Sequence, residues 1–190
     1  MFWILLSMPL RVSVGARCRL VTRAPSMIRP LQATDRDSVV ALSVDTGLFT
    51  TEEENEQFVG GLDGFLDGSL GADHFWLVSF QEGKLAGAAY YAPDGSHYPS
   101  DLAGEGVWNM YFIGVDSKLQ RKGVGAGLVA AVEAALTAKA AKALIIETSG
   151  TDGFDKIREF YSKLGYEVLG TVPDFYGPGD AKVTYRKKFM

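Results

Sequence analysis

The sharpest chemical feature of the sequence is Gln120-Arg121-Lys122-Gly123-Val124-Gly125-Ala126-Gly127, set between a predicted strand and a predicted Ala-rich helix. Glycines at such a turn let main-chain N–H groups approach a ligand with no Cβ in the way. The first turn of a helix presents unpaired N–H donors and partial positive charge, which suits a pyrophosphate. Arg121 and Lys122 add two full charges at the same spot. The bland alternative is a turn whose glycines serve only tight strand–helix packing. Two other phosphate loops do not fit. A nucleotide-triphosphate loop ends Gly-Lys-Ser/Thr, whereas Leu128 follows Gly127 here. A dinucleotide fingerprint belongs to the first strand–turn–helix unit, and this turn lies well past mid-chain. A second candidate is Glu147, which closes the apolar run Leu144-Ile145-Ile146. A carboxylate at the mouth of a buried strand is placed to accept a proton. Its alternative is a strand end paired with a basic neighbour.

These residues need a scaffold, and from Met27 onward helical and strand patterns alternate with no repeat. Met27 to Leu31 is a short extended run, capped by Thr34 or Asp35 before a helix marked by Val39, Val40, Leu42 and Val44. Thr51-Glu52-Glu53-Glu54 is a capping-box start for a second helix reaching about Leu66. Its Glu52, Glu53, Glu54 and Glu56 read as a solvated face. Phe58, Leu62, Phe65 and Leu66 form a stripe that would suit a contact between two copies of the chain. His74 to Gln81 and Lys84 to Ala92 read as strands around a Glu82-Gly83 hairpin turn. Val107 to Val115 is a further strand. After the Gly-rich turn, Val124, Leu128, Val132 and Leu136 keep the spacing of a buried helical stripe. Ala143 to Ile146 has the continuous apolar character of a strand covered on both faces. Ile157, Phe160, Tyr161 and Leu164 mark a last helix. Tyr166 to Leu169 and Lys182 to Phe189 close the chain as strands, separated by a loop over 173–180. The alternation predicts a mixed α/β single domain and excludes a helical bundle or a β-sandwich.

Composition narrows the function classes. The chain has 190 residues, 47% of them apolar and 22% charged, as in ordinary globular proteins. Its one cysteine, Cys18, excludes an internal disulfide framework. With only His74 and His97 besides, a Cys/His metal centre lacks ligands, so no metal is expected. The net charge of −4 gives no general attraction to nucleic acid. Residues 1–34 hold five arginines and no acid, while the remainder holds 14 basic and 23 acidic residues, a balance of −9. Phe2 to Leu6 is far too short to span a bilayer, so no membrane association is expected. Residues 1–26 read as an Arg-rich organellar transit peptide or as sequence ahead of a true start at Met27, with the folded domain over 27–190. The corresponding location is cytoplasmic, or a mitochondrial or plastid matrix if the leader is a transit peptide.

At this point the sequence resembles the GNAT superfamily of N-acyltransferases. The family's acetyl-CoA loop, Arg/Gln-x-x-Gly-x-Gly/Ala, is matched by Gln120 to Gly125. Its second segment, Phe-Tyr-x-x-x-Gly-Phe/Tyr on a helix after an apolar strand, is matched by Phe160 to Tyr166. The resemblance implies a central twisted sheet of about six or seven strands with about four helices, splayed between the fourth and fifth strands around acetyl-CoA. Ile113, Gly114 and Val115 would pair with the pantetheine arm, and Gln120, Arg121, Lys122, Gly123, Val124, Gly125 and Ala126 would hold the pyrophosphate. A glycine inside a strand, as at Gly114, fits close approach of another backbone.

The implied chemistry is acetyl transfer from acetyl-CoA to a primary amine by direct attack. Tyr161 is the residue that the family motif places as general acid at the CoA sulfur. A phenol stays protonated at neutral pH and can serve a leaving thiolate. Glu147 is the base implied by similarity to the ribosomal-protein alanine acetyltransferases, with Glu105 at the start of the fourth strand as its rival. Two departures stand out: Phe154 replaces an Asn seven residues before the motif tyrosine, and Glu147 and Tyr161 are 14 residues apart, two more than in those enzymes. A main-chain N–H of the fourth strand is the expected oxyanion donor. Trp76, Tyr90, Tyr91, Trp108 and Tyr111 read as core or pocket wall. Period-2 alternation puts Asn109, Tyr111 and Ile113 on one side, with Asn109 lining the acceptor site. Asp174, Phe175 and Tyr176 would form a lid over the amine. The acidic body favours a cationic small molecule as acceptor, with a peptide amine also open. The alternative from another class is a non-catalytic acyl-CoA-binding module.

Overall fold

The structure, a computed structural model, describes residues 27–49, 51–94 and 106–189. The leader over 1–26, with Cys18, and Glu105 lie outside the described residues. Seven strands and four helices run in the order β1 Met27–Pro30, α1 Arg36–Thr46, α2 Glu52–Leu66, β2 Phe75–Gln81, β3 Lys84–Pro93, β4 Val107–Val115, α3 Val124–Ala138, β5 Ala143–Ser149, α4 Asp155–Lys163, β6 Glu167–Gly177 and β7 Asp180–Lys188. One mixed sheet of order β1-β2-β3-β4-β5-β7-β6 holds all seven strands.

Local sequence chemistry explains most boundaries. Thr51 Oγ1 accepts from Glu54 N–H at 3.2 Å and Glu54 Oε2 accepts from Thr51 N–H at 3.1 Å, the reciprocal box expected for α2. Glu82 and Gly83 have φ of 51° and 76°, the paired positive values of a two-residue hairpin turn. Asp35 departs from its expected role as a helix cap. Its carboxylate accepts from Gln32 N–H at 2.9 Å and from Arg29 at 2.7 and 2.9 Å, fixing the short 3₁₀ turn over Ala33–Asp35 instead.

The sheet separates two apolar cores. On one face α3 and α4 bury Leu128, Val132, Leu136, Ile157 and Tyr161 against Trp108, Met110, Ile113 and Val115 of β4. On the other, α1 and α2 bury Val39, Leu42 and Leu62 against Trp76, Val78 and Phe112. The α2 stripe therefore serves this chain's own core: Leu62 is fully buried and Phe58, Phe65 and Leu66 pack beside it. Phe58, Phe65 and Leu66 keep part of their surface exposed.

Two irregularities shape the centre of the sheet. The β4–β5 ladder is the only parallel pairing among the described strands, and it holds for three residue pairs, Val107↔Ala143, Trp108↔Leu144 and Asn109↔Ile145. Beyond Asn109 the strands part, which is the splay expected between the fourth and fifth strands. Between β3 and β4, Tyr90 pairs with Phe112 but Tyr91 pairs with Met110, so Tyr111 is an extra, bulged residue. The bulge reverses the faces: Met110 and Ile113 share one core, Phe112 the other. The expected grouping of Asn109 with Ile113 is thereby corrected. Asn109 alternates with Trp108 and Met110 and so faces the α1–α2 side, away from Ile113.

The C-terminal hairpin differs more. The predicted loop over 173–180 is largely strand, because β6 runs on to Gly177 and the turn shrinks to Pro178-Gly179. Asp174, Phe175 and Tyr176 are consequently not a free lid. They lie in a wide bulge of β6 between the pairs Val172↔Lys182 and Gly177↔Asp180. Asp174 there has φ 54°, and its carboxylate accepts from Gly179 N–H at 2.6 Å. No helix among the described residues is long and apolar enough to cross a membrane.

Candidate active site

The Gly-rich turn enters α3 through two left-handed residues, Arg121 at φ 57° and Gly123 at φ 85°. Gly123 is the N-cap, and Gly127 N–H donates to its C=O at 2.9 Å, which leaves Val124, Gly125 and Ala126 N–H without an intrahelical acceptor. Arg121 and Lys122 are exposed beside them. Gly123 is required by its positive φ, but Gly125 is not required by packing. A Cβ at Gly125 would meet Phe160 at 3.5 Å and Val115 at 3.6 Å, which are ordinary contacts. A turn shaped only by strand–helix packing does not need a glycine there, whereas a phosphate laid against the backbone does. Gln120 anchors the start of the turn, its Nε2 donating to Val115 C=O at 3.4 Å.

Ile113, Gly114 and Val115 lie on β4 beyond the last rung of its ladder with β5, so their edge on that side is not paired with another described strand. Gly114 has a packing reason to be glycine. A Cβ there would come within 2.8 Å of the Phe112 ring.

Tyr161 projects from α4 into the core on the α3 side and is completely buried. Its ring stands among Phe160, Tyr166 and Tyr185 at centroid distances of 5.2, 5.9 and 5.8 Å. Its hydroxyl has no hydrogen-bond partner among the described residues. Leaving such a group unsatisfied costs about 1–3 kcal/mol, so its persistence calls for a reason beyond packing. Burial, reinforced weakly by nearby Tyr185, holds the phenol pKa well above its ordinary value, which keeps the proton on the oxygen. The neighbouring Tyr166 is satisfied, donating to Glu133 at 2.9 Å.

Glu147 is buried on the opposite face. Leu144 and Ile146 join the α3–α4 core, so Ile145 and Glu147 alternate to the other side with Asn109. Lys182 Nζ lies 3.0 Å from Glu147 Oε1, both side chains being largely buried. Lys182 also stands 4.1 Å above the Phe175 ring. Tyr176 is drawn into the same cluster: burial first, and then the charges of Glu147 and Asp180, raise its pKa. Asn109 is buried with Oδ1 unpartnered, at the last rung of the β4–β5 ladder. Tyr111, two positions beyond the last rung at Asn109, lines two cavities on the same side. Trp76 and Tyr90 are pocket wall as expected, while Tyr91 and Trp108 belong to the opposite core.

The structure thus gathers Glu147, Asn109, Tyr111 and Tyr176 on one face of the sheet and Tyr161 on the other. Glu105 lies outside the described residues. Lys182 was missed at the sequence level, although Lys182, Thr184 and Arg186 at period 2 in a strand were a legible signal of a polar face on β7. No cluster of three or more His, Cys, Asp or Glu suited to a metal occurs among the described residues.

Residues 71–168, just over half of the chain, match the model of the acetyltransferase (GNAT) domain. The chain belongs to the GNAT acetyltransferase family, whose members are acyl-CoA-dependent N-acetyltransferases. No curated protein matches the sequence significantly. Among solved structures, a GNAT-family protein from Desulfovibrio desulfuricans is 27% identical and superposes with a TM-score of 0.77, covering 86% of this chain and 99% of that one. An aminoglycoside 6'-N-acetyltransferase complexed with coenzyme A is 15% identical, with a TM-score of 0.65 over 86% and 97% of the two chains. A ribosomal-protein alanine N-acetyltransferase from Escherichia coli is 17% identical, with a TM-score of 0.66 over 86% and 94%. The last two share the fold.

Proposed function

We propose that the protein transfers the acetyl group of acetyl-CoA directly to a primary amine. The observation that carries this reading is the Tyr161 hydroxyl, buried without a partner among the described residues and kept protonated, on the opposite face of the sheet from a buried carboxylate. A non-catalytic acyl-CoA carrier has no use for an unsatisfied acid at that position.

Acetyl-CoA supplies the activated acyl group as a thioester. The N–H groups of Val124, Gly125 and Ala126, with Arg121 and Lys122, hold its pyrophosphate, and the free edge of Ile113–Val115 pairs with the pantetheine arm. Glu147 takes a proton from the acceptor ammonium, and Asn109 Oδ1 accepts from a remaining N–H to orient the nitrogen. The main chain of β4 beyond Asn109 donates to the carbonyl oxygen as it gains charge. As the C–N bond forms and the C–S bond breaks, Tyr161 gives its proton to the departing sulfur. The second amine proton restores the phenol by way of solvent. Every cysteine-dependent variant is disfavoured, since no cysteine follows Cys18.

Initial-velocity measurements of thiol release test the reading on the full chain. Direct transfer gives intersecting double-reciprocal lines when amine and acetyl-CoA are varied together. Parallel lines indicate a covalent acyl-enzyme and refute it. Acetyl-CoA binding by calorimetry with no thiol release from any amine supports the carrier instead.

A further inference from the structure

A cavity of about 110 Å³ opens between α2 and the sheet face that carries Glu147. Six aromatic rings wall it: Phe49, Phe58, Trp76, Tyr90, Tyr111 and Phe112. They form a continuous array, with Phe58 4.9 Å from Phe112, Trp76 5.0 Å from Tyr90 and Tyr90 5.7 Å from Tyr111 between centroids. Among the described residues no charged side chain lines it. A remote cation placed there would lose several kcal/mol of hydration, more than the roughly 2 kcal/mol that aromatic faces return. An apolar group meets no such penalty. The volume is comparable with the roughly 150 Å³ that holds a benzene ring, and the cavity is open on one side.

The cavity exists because α2 lacks a side chain at Gly61. Gln57 and Phe58 lie one helical turn earlier on the same helix face, and all three residues border the space. A Cβ at Gly61 would meet nothing within 4 Å. Glycine inside a helix is less favourable than alanine by about 1 kcal/mol, and neither packing nor backbone conformation asks for it here. The cavity also abuts the reaction site. Tyr111 is the bulged residue of β4, two positions beyond Asn109, or about 7 Å along the strand from the apex of the gap. An amine nitrogen at Asn109 and Glu147 is therefore a short alkyl linker away from the aromatic wall.

We propose that the acceptor is a primary amine carrying an apolar, ring-sized group that seats in this cavity, and that Gly61 is the position that admits it. The proposal rests on the acetyltransferase reading above. It is tested with the full chain by thiol release from 2-phenylethylamine, ethylamine, spermidine and an aminoglycoside, and by calorimetric titration of 2-phenylethylamine into the CoA-saturated protein. The expected result is a kcat/KM for 2-phenylethylamine at least tenfold above that for ethylamine and above both polycations. Gly61→Leu collapses the ratio of phenylethylamine to ethylamine and weakens phenylethylamine binding at least tenfold. Gly60→Leu, on the exposed side of the same helix with open space around it, leaves both unchanged. Preference for spermidine or the aminoglycoside, or a phenylethylamine ratio that Gly61→Leu does not move, overturns the proposal while leaving acetyl transfer intact. Absence of acetyl-CoA binding, with no thiol released from any amine, is the separate failure of the acetyltransferase reading.

Discussion

Replacing Tyr161 with phenylalanine should move stability and activity in opposite directions. The hydroxyl is fully buried and unpartnered, so the folded state bears its desolvation without a compensating hydrogen bond. Protein substitution data put that cost at about 1–3 kcal/mol, and phenylalanine preserves the ring packing against Phe160, Tyr166 and Tyr185. The variant should therefore be as stable as the parent or more stable by about 1 kcal/mol, which for a domain of this size is a rise in Tm of roughly 2–4 °C. The proton that the departing thiolate needs is lost at the same time. General-acid catalysis contributes about 10²- to 10⁴-fold, so kcat should fall by that factor, equivalent to about 3–5 kcal/mol of barrier. Acetyl-CoA affinity should change less than threefold. Thermal melts, thiol release and calorimetry on the same preparation read all three quantities. A variant that melts several degrees lower while turning over within threefold of the parent would show that the hydroxyl serves the fold, and the assignment of Tyr161 as the acid would be refuted. Because burial raises the phenol pKa, the parent's kcat should also show no loss from Tyr161 ionisation up to about pH 10.

Gly125→Ala should leave Tm unchanged or raised, since the added Cβ makes only ordinary contacts, yet weaken acetyl-CoA binding about tenfold by calorimetry; an unchanged Kd would return the turn to packing alone. Lys182→Met should destabilise the fold by about 3–5 kcal/mol in urea titrations by stripping a buried carboxylate of its cation, and Glu147→Gln in the same chain should recover most of the loss. Asp35 has its pKa lowered, first by the Arg29 hydrogen bonds and then by Gln32 N–H against opposing burial. A depressed carboxylate contributes stability above its unfolded pKa of about 3.9 and loses it as pH falls through the folded value. Asp35→Asn should accordingly cost about 2 kcal/mol at pH 7 and close to nothing near pH 2; an equal cost at both would sink the ion-pair explanation.

The elements that were legible in the sequence share a physical trait. β4 and α3 are long, apolar and regular, and their bounds emerge almost as read because a buried element must keep its period, whereas β5 runs past its apolar residues to Ser149 and so carries Glu147 inside the strand rather than at its mouth. The second half of β6, over 170–177, was hidden for the complementary reason. It is the edge of the sheet, so Pro173 and a largely exposed face carry little penalty, and turn-forming residues there mimic a loop. The bulge at Tyr111 left no trace because apolar residues fill both faces of β4 around it, so one inserted residue does not disturb any polar alternation. The α2 stripe was legible as a stripe, but whether it meets its own sheet or a second copy depends on tertiary placement. Gly61 is harder still. An absent side chain signals a cavity only once the surrounding rings are in place.

The short β4–β5 ladder has a consequence for the life of the protein. Three residue pairs are the whole strand-to-strand ladder between the half-sheet β1–β4 and the half-sheet β5–β7 among the described residues, the rest of the join being side-chain packing under α3 and α4. On the proposed function, acetyl-CoA paired with the free β4 edge would occupy the gap and add to the cohesion of the two halves. At a hundredfold excess over its Kd such a ligand adds about 2.7 kcal/mol to the stability of the whole. Differences of 1–2 kcal/mol change steady-state abundance several-fold in cells, where unfolded chains are continually removed. On that reading, acetyl-CoA at that excess should therefore raise the Tm of the full chain and slow its proteolysis, and a melt that the donor does not move would show that the gap needs no filling.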